Sequence, residues 1–212
     1  MRRYILWDHD GVLVDTEPLY FEATRHAIAA LDVDLPLDGY LADMAEGRTA
    51  WDRARQRGAT EPQIRHHRAH RDRLYQRLLA ERDIEIPGVE TVLERLAAAC
   101  AMAIVTTAKK DDFALIHRHR NIVRHMDFVL ANGDYARSKP APDPYLAALE
   151  RFGAAPADTV VVEDSERGLR AAVAAGIDCV IVRNDFVRGQ DFSAAAARID
   201  SLEELPALLE SF

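Results

Sequence analysis

The chain alternates short, continuous apolar runs with longer segments of helical periodicity, and this alternation limits the folds open to it. Apolar runs of four or five residues without polar alternation are typical of strands that are buried on both faces of a parallel sheet. They occur at residues 4–7, 102–105, 127–130, 159–162 and 178–182. Segments with helical spacing occur at residues 89–100, 113–120, 144–152 and 167–175. Because strand and helix follow one another, we expect right-handed crossovers and an α/β, Rossmann-like doubly wound parallel sheet.

The stretch from residue 15 to residue 86 interrupts this alternation. It contains no convincing strand pattern, whereas residues 19–31 and 64–79 have helical spacing. Pro87 and Gly88 then mark the return to the order of strand and helix. We therefore predict an α/β core of residues 1–14 and 87–212, with an inserted all-helical domain at residues 15–86.

Composition and charge favour a globular protein and do not favour nucleic acid or membranes as partners. Hydrophobic residues make up 49% of the chain and charged residues 29%, a balance typical of globular proteins. The formal net charge of −8 does not favour binding to nucleic acid or to anionic membranes. No apolar run approaches the ~20 residues of a membrane span. We expect a cytoplasmic protein and a monomer, with a weak dimer left open.

Two carboxylates, Asp8 and Asp10, follow the first predicted strand and precede Gly11. Residues i and i+2 of an extended chain project to the same side, and open α/β sheets bind ligands at the carboxyl ends of their strands. Two anions so close need a cation between them, or one of them must hold a proton. The pair suits phosphoryl transfer, with one carboxylate as nucleophile and metal ligand and the other as acid and then base. A pair of capping aspartates is the alternative.

Further polar residues follow the later strands. Glu163 and Asp164 end the fourth apolar run, where adjacent acids are costly without a cation, and oxygen ligands suit Mg²⁺ better than zinc. Thr106 and Thr107 end the second run, where hydroxyl and N–H groups can hold phosphate oxygens. Lys139 lies in a proline-rich loop that can hold its charge against a phosphate. Taken singly, each of these residues is also common as a helix cap or on a surface.

Taken together, the motifs resemble a known family. Asp-x-Asp-Gly-x-Leu-x-Asp-Thr at residues 8–16, Thr106, Lys139-Pro-x-Pro and Glu163-Asp164 resemble, in this order, the four motifs of the haloacid dehalogenase superfamily. The helical insertion is similar to the cap domain of its phosphatases and β-phosphoglucomutase-like members. The resemblance covers essentially the whole chain. Asp10 argues against dehalogenation, because the dehalogenases of the family lack that aspartate.

The resemblance implies a role for each motif residue. Asp8 would be the nucleophile and a metal ligand, and Asp10 the acid and base that also gives its backbone carbonyl to the metal. Asp164 would complete the Mg²⁺ site, with Glu163 beside it, and Thr106 and Lys139 would hold the transferring phosphoryl group. Thr107 stays a candidate for phosphate binding because of its position at the end of the second run.

These observations predict a Mg²⁺-dependent phosphatase that hydrolyses a small phosphorylated metabolite, such as a sugar phosphate or a phosphoglycolate-like compound, through an aspartyl-phosphate on Asp8. A phosphomutase of the β-phosphoglucomutase type is the alternative. A non-enzymatic protein that binds phosphorylated metabolites is disfavoured, because acids are present at every motif that requires them.

Weaker signals predict substrate contacts within the cap domain. Glu46-Gly47-Arg48-Thr49 resembles the glycine-containing cap loop of the family, which makes Arg48 a candidate for binding an anionic substrate. Ten arginines lie between residues 48 and 82, and most of them are expected to form a solvated helical face. Tyr20 stands where β-phosphoglucomutases carry a histidine, which favours phosphatase over mutase.

Overall fold

The structure, a computed structural model, describes residues 3–211 and divides into two compact units. The first unit comprises the chain up to Asp15 and again from Glu85, and the second comprises Thr16–Ile84. The named strands all belong to the first unit, and the described residues of the second form helices and their connections. The predicted fold class, a Rossmann-like parallel sheet with an all-helical insertion, is confirmed.

The described residues of the first unit form a six-stranded sheet in the order β3-β2-β1-β4-β5-β6, with parallel pairing throughout. The strands are β1 (Tyr4–Trp7), β2 (Ala101–Val105), β3 (Phe128–Leu130), β4 (Thr159–Glu163), β5 (Asp178–Val182) and β6 (Ala197–Ile199). The chain winds outward from β1 to one edge, returns to β4, and then winds to the other edge. This reversal opens a crevice at the carboxyl ends of β1 and its neighbours, where such sheets bind ligands.

The first five strands lie where the apolar runs predict them, but β6 was not predicted. It is a three-residue edge strand, and its central residue, Arg198, is exposed. An edge strand has one neighbour and need not be apolar on both faces, so it lacks the continuous apolar run that marks the inner strands.

The helical unit contains α1 (Glu17–Ala29), α2 (Leu37–Ala45), α3 (Ala50–Gln56) and α4 (Glu61–Glu81). Capping boxes begin two of these helices, at Thr49 with Asp52 and at Thr60 with Gln63. Most of the ten arginines are exposed, as the charge pattern predicts, whereas Arg71 on α4 is 4% exposed. Its guanidinium lies 4.4 Å from the centre of the Tyr20 ring.

Helices α5 (Val89–Ala97), α6 (Lys110–Ile116), α7 (Asp143–Phe152), α8 (Glu166–Ala174) and α9 (Leu205–Leu209) belong to the first unit, with short 3₁₀ helices at Ile122–His125, Pro156–Asp158 and Leu202–Glu204. Ser165 caps α8, since its Oγ accepts from the Gly168 N–H at 3.2 Å. Beyond α8, Gly176 has a φ of 74°, which glycine adopts readily as the chain turns into β5. Within residues 3–211, no helix is both long and apolar enough to cross a membrane.

Candidate active site

Asp8 and Asp10 lie in the turn that follows β1 at the carboxyl end of the sheet. The Asp8 N–H donates to Val162 O at 2.9 Å, which continues the pairing of β1 with β4. Gly11 closes the turn with a φ of 85°. A Cβ atom on Gly11 would stand 2.0 Å from Asp164 Oδ2, so both the conformation and the close approach require glycine.

Lys139 lies at the centre of the site. Its Nζ donates to Asp8 Oδ1 at 2.5 Å, to Glu163 Oε1 at 2.7 Å and to Val105 O at 2.9 Å, so each of its three protons has an acceptor. The residue is 4% exposed. Burial disfavours the ammonium form, but the carboxylates of Asp8 and Glu163 outweigh burial and raise the pKa of Lys139. The ammonium group is therefore a fixed positive charge beside Asp8.

Glu163 is fully buried and anchors this lysine. Its Oε1 also accepts from the Tyr145 hydroxyl at 2.7 Å, and its Oε2 accepts from the Ser165 hydroxyl at 3.0 Å. Burial alone would raise the pKa of Glu163, but the charge and hydrogen bonds of Lys139 and Tyr145 lower it below the usual value. The side chain fills its pocket so closely that a Cβ on Gly168 would stand 1.8 Å from Oε1.

Asp8, Glu163 and Asp164 form a carboxylate cluster that could hold a metal ion. Each offers an oxygen, and these oxygens lie within 4.8 Å of one another. Burial, reinforced by the charge of Glu163, raises the pKa of Asp8 to about 7. Such crowding of anions is relieved by a cation, and a donor set made only of carboxylate oxygens fits a hard dication. Asp10, also predicted at this site, is outside this set of side chains.

Asp10 instead contacts the second strand. Thr106, which is buried at the end of β2, donates from Oγ1 to Asp10 Oδ2 at 3.2 Å, and its Oγ1 accepts from the Ala108 N–H at 2.9 Å. His9 Nδ1 lies 3.2 Å from the same Asp10 oxygen, and His9 Nε2 lies 2.8 Å from His117 Nε2. The structure thus brings Thr106 to Asp10.

Thr107 has a different partner. Its Oγ1 accepts from the guanidinium of Arg167 at 3.3 Å, and both residues are half-buried. Arg167, in the first turn of α8, is therefore a cation close to a predicted phosphate-binding residue. The sequence signal for it was present, because α8 follows the acidic pair directly.

Two further residues were missed by sequence reasoning. Asn184 follows β5 and donates from Nδ2 to Asp164 Oδ2 at 2.7 Å. Because Asn184 follows β5, and β5 is the neighbour of β4 in the sheet, its position could have indicated a place in the site. No sequence pattern indicates Tyr145, because it occupies one of the buried, apolar positions of α7.

The candidate substrate residues of the cap domain are engaged within the helical unit. Arg48 is exposed and forms ion pairs with Asp43, at 3.1 Å, and with Glu46. The Tyr20 ring lies edge-on to the ring of Tyr75, with 5.1 Å between their centres, and against the Arg71 guanidinium.

The sequence profile of the haloacid dehalogenase-like hydrolases matches residues 5–182. The chain belongs to this family. The resemblance to the phosphatase and β-phosphoglucomutase-like group, identified from the four motifs, is confirmed.

Curated relatives match most of the chain. Protein CbbY of Cereibacter sphaeroides is 33% identical over 217 residues, which cover 96% of this chain and 94% of the relative. The phosphorylated carbohydrates phosphatase of Thermotoga maritima is 30% identical over 180 residues, or 82% of each protein. Among solved structures, CbbY from Rhodobacter sphaeroides in complex with xylulose-(1,5)bisphosphate superposes with a TM-score of 0.81 at 27% identity, covering 97% of this chain and 96% of that one.

Proposed function

We propose that this protein is a Mg²⁺-dependent phosphatase that hydrolyses a small phosphorylated metabolite through an aspartyl-phosphate on Asp8. The enzyme class, a phosphoric monoester hydrolase, follows from the family and from the phosphatases among its relatives. The observation that carries the proposal is the position of Asp8. Its carboxylate accepts from the buried ammonium of Lys139, and it offers an oxygen within 4.8 Å of one from Asp164.

The substrate class is proposed from chemistry and from the relatives. Lys139 and the hydroxyl of Thr106 lie beside the two aspartates, where they would bind the oxygens of a transferring phosphoryl group. The T. maritima relative is named for phosphorylated carbohydrates, and the superposed CbbY structure contains a sugar bisphosphate. We therefore propose a phosphorylated sugar or a similarly small phosphate ester.

In the proposed reaction, a carboxylate oxygen of Asp8 attacks phosphorus and the bond to the ester oxygen breaks. Asp10 gives a proton to the leaving alcohol and then takes one from the water that attacks the aspartyl-phosphate, which releases inorganic phosphate. Lys139 and Thr106 would bind the phosphoryl oxygens and stabilise the negative charge on them during the transfer. Asp8 and Asp164, with the Asp10 carbonyl, would hold Mg²⁺, and the bound ion would neutralise phosphate charge. Glu163 would act beside them by anchoring Lys139.

The proposal is tested with p-nitrophenyl phosphate and a panel of sugar phosphates. Chelation with EDTA should remove the activity and Mg²⁺ should restore it, because the phosphate and the carboxylates repel each other without a cation. Asp8→Asn should lower turnover by more than about 10³-fold at an unchanged circular dichroism spectrum, as loss of a nucleophile does. Asp158→Asn changes an aspartate whose side chain is 46% exposed, beyond the opposite end of β4; it serves as the matched control and should keep full activity. Steady-state hydrolysis by pure Asp8→Asn protein at a rate within about 10³-fold of wild type would exclude the covalent route.

A further inference from the structure

The side-chain amide of Asn184 is held in one orientation. Its Nδ2 donates to Asp164 Oδ2 at 2.7 Å, and its Oδ1 accepts from the Phe186 N–H at 3.0 Å. Rotating the amide by 180° would set an oxygen against a carboxylate oxygen and an NH₂ group against an N–H. The donor is therefore directed at Asp164 by the backbone of the loop that carries Asn184.

Neighbouring strands bring Asn184 to Asp164. Strands β4 and β5 are parallel neighbours, and Glu163 is in register with Ile181. Asp164 and Asn184, which follow these two strands, therefore lie at the same end of the sheet. Asp164 is 2% exposed. A hydrogen bond from an amide to a buried carboxylate is charge-assisted and fixes the rotation of the carboxylate.

Gly11 closes the other side of this pair. A Cβ on Gly11 would lie 2.0 Å from Asp164 Oδ2 and 2.7 Å from Asn184 Nδ2. The backbone of the turn that carries Asp8 and Asp10 thus packs directly on the hydrogen bond. A side chain larger than hydrogen at residue 11 would displace both groups, so the contact is part of how the turn is built.

We propose that Asn184 is a positioning residue for the metal site: it holds Oδ2 of Asp164 so that Oδ1 is presented to the dication. The inference rests on the proposed function, since it concerns Mg²⁺ at the carboxylate cluster. Hydrogen-bond partners of metal ligands orient those ligands, and their loss commonly costs about 10–100-fold in metal affinity. Both polar atoms of the Asn184 amide are already engaged, Nδ2 with Asp164 and Oδ1 with the Phe186 N–H.

The test titrates Mg²⁺ into EDTA-stripped, substrate-free enzyme in an isothermal titration calorimeter, which measures the Kd for Mg²⁺. Asn184→Ser keeps a hydroxyl that can accept from the Phe186 N–H but is too short to reach Asp164. We expect its Kd for Mg²⁺ to rise about 10–100-fold, and its kcat at saturating Mg²⁺ to stay within a few-fold of wild type. Asp185→Asn, an exposed change in the same loop, is the matched control and should bind Mg²⁺ as the wild type does.

The outcomes separate this inference from the proposed function. Wild-type enzyme that binds no Mg²⁺ would overturn both. If the wild type binds Mg²⁺ and Asn184→Ser binds it with the same Kd, the positioning role of Asn184 is wrong, whereas the proposed function stands. If the serine variant does not fold, Asn184→Thr, whose hydroxyl can also accept from Phe186, repeats the measurement with the same two outcomes.

Discussion

Lys139 donates to Glu163 across 2.7 Å, and both side chains are about 1% exposed. Breaking a buried ion pair by removing one partner is costly because the remaining charge stays in a medium that solvates it poorly. Glu163 thus helps to hold the Lys139 ammonium against Asp8. A change at Glu163 should therefore affect stability as well as catalytic activity.

We predict that Glu163→Gln lowers the free energy of unfolding by about 3 kcal/mol. Glutamine preserves the shape of the side chain but leaves Lys139 with Asp8 as its remaining carboxylate partner. Urea unfolding at pH 7.5 measures the change. Asp143→Asn is the control: it removes a carboxylate paired with Arg137, whose side chain is 72% exposed, and should cost far less than Glu163→Gln because surface ion pairs contribute little to stability. Equal losses in the two variants would contradict a stabilising role for the buried pair.

A second prediction concerns His117 and pH. Burial, followed by the charges of His9 and Arg120, lowers the pKa of His117 to about 3, against 6.5 for the free side chain. Between these values the unfolded chain binds a proton that the folded protein does not, so stability rises with pH across this window and falls as the solution is acidified from pH 6.5.

His117→Gln should remove this contribution, because an amide can donate to His9 Nε2 but does not titrate. Plots of unfolding free energy against pH from 6.5 to 4.5 should be less steep for the variant, by up to about 1.4 kcal/mol per pH unit. His119→Gln, an exposed change two residues away, is the control and should follow the wild type. Parallel slopes for His117→Gln and wild type would show that the protonation of His117 does not change on unfolding, and would contradict the prediction.

The sequence predicted most of the groups at strand ends, although it missed Asn184 after β5. It did not predict the groups that reach the site from helices. Asp8, Thr106 and Asp164 each follow an apolar run, and the carboxyl ends of parallel strands meet at one edge of the sheet. Their convergence therefore follows from the fold class. Tyr145 reaches Glu163 only because of the way α7 packs on the sheet, and no periodicity distinguishes that position from the rest of the apolar face.

The same limit applies to charge. Ten arginines between residues 48 and 82 predict a solvated face, and most follow that rule, but Arg71 is buried against the Tyr20 ring. A long side chain can bury its cation where an aromatic face and a carboxylate receive it, here with Asp72 at 2.8 Å. Such an arrangement depends on the packing of α1 against α4, which composition does not reveal.

A third prediction concerns Arg48, our candidate for binding the part of the substrate beyond the phosphoryl group. Arg48→Ala should lower kcat/KM for the natural substrate by about 10-fold or more, as loss of a charged hydrogen bond does, and should spare p-nitrophenyl phosphate. Stability should change little, because Asp43 keeps its ion pair with Arg53. Arg65→Ala, an exposed change on α4, is the control. Equal losses on both substrates would exclude Arg48 as a specificity residue.

The last prediction separates hydrolysis from phosphoryl transfer between hydroxyls. Asp8 and Asp10 serve both reactions, so these two residues do not distinguish a phosphatase from a mutase. The family's β-phosphoglucomutases carry a histidine where this chain has Tyr20, and a tyrosine does not take up a proton near neutral pH as histidine does. Tyr20 packs on Arg71 and Tyr75. We therefore expect water, rather than a second sugar hydroxyl, to receive the phosphoryl group.

The measurement incubates the enzyme with β-glucose 1-phosphate and a trace of the 1,6-bisphosphate, and assays glucose 6-phosphate and free phosphate over the same time course. Phosphate should form faster than glucose 6-phosphate, since a phosphoenzyme that is open to water is hydrolysed before the sugar can reorient. Asp8→Asn protein, prepared identically, should form neither product and so controls for contaminating enzymes. Glucose 6-phosphate forming well ahead of phosphate would identify a mutase, and the proposed net hydrolysis would then be wrong although the chemistry at Asp8 would stand.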